Sequence, residues 1–128
     1  MPPRLTSTLS SLGVEADRDT LAAVQAELGG SFAALTEIRS QCTAELDAGE
    51  LEPAELTDWL LAQIPESAVR VAWVADGVGA TMSFTRFAEN VDDLWYPAID
   101  DIVIVDDTHA VLVLDHEERF TFTRRADS

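Results

Sequence analysis

The sequence predicts an α+β protein: an N-terminal helical layer packed on a mainly antiparallel sheet with a C-terminal three-strand meander. The first observation behind this is a change of period. Apolar residues recur at helical spacing up to Ile64, then at two-residue spacing or as continuous apolar runs from Val69 onward. The second is segregation. Helical signals come first and strand signals later, with a single helical segment between them, which argues for an antiparallel sheet backed by helices. Two small sheets are the alternative arrangement. The third is length: 128 residues, with no internal repeat and no long linker, fit one domain over 1–128 with a single core.

The elements follow in order. Residues 1–4 are expected to fray. Leu5, Leu9 and Leu12 fit one face of a short helix closed by Gly13. Asp17 or Asp19 caps a second helix, which carries Leu21, Val24 and Leu28 and ends at Gly29-Gly30. Ser31 caps a longer predicted helix from about Phe32 to Ala48. Its buried stripe is Phe32, Leu35, Ile38, Cys42 and Leu46, and Gly49 stops it. Pro53 suits the first turn of the next helix, with Glu52 before it, Leu56, Trp59, Leu60 and Ile64 facing inward, and Pro65 at its end.

Val69, Val71 and Trp73 then alternate with Arg70 and Ala72, and Asp76-Gly77-Val78-Gly79 reads as a hairpin turn. Ala80, Met82 and Phe84 alternate with Thr81, Ser83 and Thr85, the pattern of a half-buried antiparallel strand. Phe87, Val91, Leu94 and Trp95 return to helical spacing, with Thr85 as the cap and Pro97 forcing an end. Ile102–Val105 and Ala110–Leu114 are continuous apolar runs, as expected of central strands covered on both faces. Asp106-Asp107-Thr108-His109 turns between them, and Asp115-His116-Glu117-Glu118 turns into a last strand. There Phe120 and Phe122 alternate with Thr121 and Thr123, before Arg124 and Arg125.

Charge narrows the functional classes. The formal net charge is -16, and all eight cations are Arg. Such a balance works against direct binding of nucleic acid or an anionic membrane and favours a basic partner. The absence of Lys removes P-loop phosphate binding and Schiff-base chemistry. The lone Cys42 has no intramolecular disulfide partner and sits at an apolar helical position, as a buried structural thiol does. No secretory h-region opens the chain and no apolar run approaches the roughly 20 residues of a membrane span, so a cytoplasmic location is expected.

The acidity is also concentrated. Between Ala88 and Glu118 lie ten carboxylates and no Arg or Lys, although acidic residues outnumber arginines in the rest of the chain too. Three Asp-Asp pairs stand out: Asp92-Asp93, Asp100-Asp101 and Asp106-Asp107. Carboxylates in loops can hold hard cations, but the D-x-[DN]-x-[DN]-G spacing is absent, and Asp is ordinary punctuation at strand ends. His116-Glu117-Glu118 lacks the H-E-x-x-H spacing. His109 lies at the other end of the predicted strand 110–114, about 23 Å away along it, too far to share a metal with His116. No G-x-S-x-G, Cys-His or Gly-rich phosphate motif is present, so neither catalysis nor a cofactor is expected. Trp95-Tyr96-Pro97 has two readings: Trp95 plugs the core at a helix end while Pro97 stiffens the exit, or Tyr96, beside Asp92, Asp93, Asp100 and Asp101, is an aromatic anchor in an acidic rim. The predicted partner-binding set is Asp92, Asp93, Trp95, Tyr96, Asp100, Asp101, Asp106, Asp107, His116, Glu117 and Glu118.

The run Leu94-Trp95-Tyr96-Pro97-Ala98-Ile99-Asp100-Asp101, then Leu114-Asp115-His116-Glu117-Glu118 and Phe120-Thr121-Phe122, resembles a pattern of small uncharacterised bacterial proteins that look like immunity proteins of toxin systems. It covers roughly the last third of the chain. The resemblance implies a non-enzymatic protein that binds and blocks a toxin.

The residues themselves support an acidic inhibitor of a basic toxin or nuclease-type effector, present as a monomer or weak homodimer. Three alternatives stand beside it. One is a phage-type nucleic-acid mimic that inhibits a defence system. Another is a small carboxylate and histidine metal-binding enzyme. The last is a housekeeping domain made acidic by a salty cytoplasm.

Overall fold

The computed structural model describes residues 3–28, 44–47, 49, 51–64, 66–94, 101–108, 110–115 and 118–124. The elements in chain order are α1 (Pro3–Ser11), α2 (Arg18–Glu27), β1 (Ala44–Asp47), α3 (Pro53–Gln63), β2 (Ala68–Trp73), β3 (Val78–Ser83), α4 (Phe84–Glu89), α5 (Val91–Leu94), β4 (Ile102–Val105), β5 (Ala110–Leu114) and β6 (Arg119–Arg124). The strands form one six-stranded sheet, ordered β1-β6-β5-β4-β2-β3, in which every neighbouring pair is antiparallel. The fold is α+β, and β4, β5 and β6 form the expected meander.

Strand alternation sorts side chains onto two faces. Val69, Val71, Trp73, Ile102, Ile104, Leu112, Leu114, Phe120 and Phe122 point to one face. There they pack with Leu5 and Leu9 of α1, Leu56 and Leu60 of α3, Phe84 and Phe87 of α4, and Val91 and Leu94 of α5. Burying each such side chain contributes roughly 1.5–3 kcal/mol, so this face makes most of the core. The indole of Trp73 is fully buried, and its Nε1–H donates to the Leu94 carbonyl at 2.9 Å. That bond satisfies the ring's polar atom and ties α5 to the sheet.

The other face is built from small and β-branched residues. Ala72, Val103, Val105, Val111 and Val113 pack with Val24 and Leu28 of α2. The helices therefore divide between both sides of the sheet, rather than forming one layer. Asp17 supplies the α2 cap, its carboxylate accepting from Thr20 N. Asp17 and Gly79 also exchange backbone hydrogen bonds, at 2.7 and 3.0 Å. This clamp brings the first turn of α2 so close to β3 that a Cβ on Gly79 would lie 2.6 Å from Leu21 N. Only glycine fits there without moving backbone. Continuous burial of β4 and β5 matches their continuous apolar sequence.

Two expectations of local structure are corrected. Residues 44–47, placed in the helix of about 32–48, are a strand: Ala44 and Leu46 pair with Phe122 and Phe120, and Glu45 and Asp47 alternate with them. Leu46 matched a helical stripe with Cys42, but cross-strand packing against phenylalanine decides the local structure. The rest of that predicted helix lies outside the described residues. Second, Phe84 does not extend β3. Ser83, not Thr85, caps α4, its hydroxyl accepting from Arg86 N at 3.3 Å, and α4 breaks from α5 at Asn90. In β6, Thr121 and Thr123 are buried along with the phenylalanines they alternate with.

Among the described residues no helix is long and apolar enough to cross a membrane.

Candidate functional site

Register decides which strand ends share a surface. Ile102 pairs with Leu114, Leu114 with Phe120, Phe120 with Leu46, and Ile102 with Trp73. One end of the sheet therefore gathers Asp47 at the end of β1, the Asp76 turn after β2, Asp101 before β4, and the turn from Asp115 to Glu118 after β5. Asp106 and Asp107 follow β4 and lie at the opposite end, about 16 Å along the strand. The single rim expected from sequence is split by β4.

At the opposite end, the neighbours Asp106 and Asp107 have different roles. Asp106 is buried, and its Oδ1 accepts from Thr108 N and Thr108 Oγ1 at 2.8 Å and from Ala110 N at 3.0 Å. It builds the β4–β5 turn and cannot present charge to a partner, so it leaves the partner-binding set. Asp107 is exposed. Asp115 repeats the structural role at the other end of β5. It is buried, its Oδ1 accepts from Arg119 N at 3.0 Å, and Asp115 N donates to Arg119 O at 3.0 Å.

That Asp115–Arg119 pair closes a three-residue hairpin loop whose last residue is Glu118. Glu118 has φ +64° and is the one non-glycine residue with positive φ among those described. A three-residue loop ends in the left-handed region, where glycine is the usual occupant. A side chain there costs on the order of 1 kcal/mol. The strained residue carries a carboxylate, and that carboxylate lies against Gly49: a Cβ on Gly49 would collide with Glu118 Oε2. Asp47 Oδ1, also within 3.4 Å of that Cβ position, accepts from Gly49 N at 3.2 Å. Asp47, Gly49, Leu51 and Glu118 line an open cleft of about 530 Å³.

The surroundings of the cleft are acidic and partly apolar. Leu46, Leu51 and Trp59 are half-buried and pack on the core, Trp59 against Phe120 with ring centroids 6.2 Å apart. Glu52, the residue before α3, and Glu55 and Asp58 within it are exposed. Arg119 stands directly opposite Asp47 in the β1–β6 register and pairs with Glu45, two residues along the same face of β1, N to O 3.4 Å, with both side chains about half exposed. This exposed pair contributes little to stability, and the ion pair of Arg119 goes to Glu45 rather than to Asp47 or Glu118.

Of the other predicted residues, Asp101 is half-buried at the acidic end, and its carbonyl accepts from Val74 N at 3.1 Å. Asp93 is exposed on α5. Trp95, Tyr96, Asp100, His116, Glu117 and the side chain of Asp92 lie outside the described residues. Sequence reasoning missed Asp47, because it fell within the predicted long helix. Its signal was the alternation Ala44-Glu45-Leu46-Asp47 just before Gly49. Among the described residues no group of three or more His, Cys, Asp or Glu is placed to hold a metal ion.

Chemically, two carboxylates beside a glycine and the half-buried Leu51 suit recognition of a basic side chain flanked by an apolar group. Comparison of the chain with protein-family models, with curated proteins and with solved structures finds no match.

Proposed function

We propose that this is an acidic interaction protein of the immunity or antitoxin type, which binds a basic toxin or nuclease-type effector in the cytoplasm and blocks it without catalysis of its own. The observation that carries the reading is Glu118. A strained, left-handed glutamate stands at the mouth of an acidic cleft where glycine would be more stable. Local strain retained at a surface turn fits a functional requirement for that side chain. The net charge of -16 adds a long-range field that speeds encounter with a basic protein.

The test is affinity capture from the source cells at about 50 mM salt, where the Debye length exceeds 10 Å, followed by co-expression with the captured protein. The expected partner is basic, is released by salt, and arrests growth unless this chain is present. Capture of only neutral or acidic proteins that resist salt would overturn the reading.

A further inference from the structure

We draw no further inference here: the strongest candidate, the open cleft of Asp47, Gly49, Leu51 and Glu118 at the β1–β6 end of the sheet, belongs to the site already described, and beyond its acidic cluster nothing in the structure shows what covers it.

Discussion

The turns at the two ends of β5 and the cleft beside one of them use the same residue types in opposite ways. Asp106 and Asp115 are buried, and each carboxylate accepts backbone N–H groups that would otherwise be unsatisfied. Asp47 and Glu118 line an open cleft, and the ion pair of the neighbouring Arg119 goes to Glu45. The first pair holds the meander together; in the second, Asp47 accepts from Gly49 N yet remains exposed, and Glu118 carries backbone strain. Acidity in this chain is therefore two populations, one structural and one displayed, interleaved along a few residues.

The largest expected effect separates neighbours. Asp106→Ala removes three hydrogen bonds and leaves buried donors unpaired, so it should lower unfolding free energy by about 2–4 kcal/mol in chemical denaturation. Asp107→Ala, one residue on, should stay within about 0.5 kcal/mol. Equal effects would erase the distinction between structural and displayed carboxylates.

Next is Gly79→Ala, which places a methyl group against the backbone of Leu21 and should cost about 1–3 kcal/mol. The same assay checks it. A neutral result would mean that α2 can move off β3 freely. Smaller, and opposite in sign, is Glu118→Gly. Relief of the left-handed strain should raise stability by about 1 kcal/mol, seen as a higher denaturation midpoint. If the variant is less stable, Glu118 supports the fold and does not merely display charge.

Much of the fold was legible because period and burial agree. The alternation in β2, the apolar runs of β4 and β5, the proline at the start of α3 and the Asp17 cap are local signals, and tertiary packing did not override them. Residues 44–47 were not legible in that way. Four residues offer too short a window to distinguish a helical stripe from an edge strand, and their structure is set by Phe120 and Phe122, far along the chain. The cleft was hidden for the same reason, since Asp47 meets Glu118 only through the β1–β6 pairing. Glu118 itself was within view as a turn carboxylate. Its backbone conformation was not, because a loop that ordinarily ends in glycine ends here in glutamate. Asp106 was misassigned because sequence shows that an aspartate stands in a turn, not whether it faces the turn's amides or solvent.

The most direct measurement of the central claim is the affinity of the captured basic partner for the native chain and for the Asp47→Asn, Glu118→Gln variant, at about 50 and 500 mM salt. The expected result is at least roughly tenfold weaker binding of the variant at low salt, a shallower salt dependence, and stability equal to or above that of the native chain. Unchanged affinity with the same salt slope would contradict the claim that this end of the sheet is the binding surface.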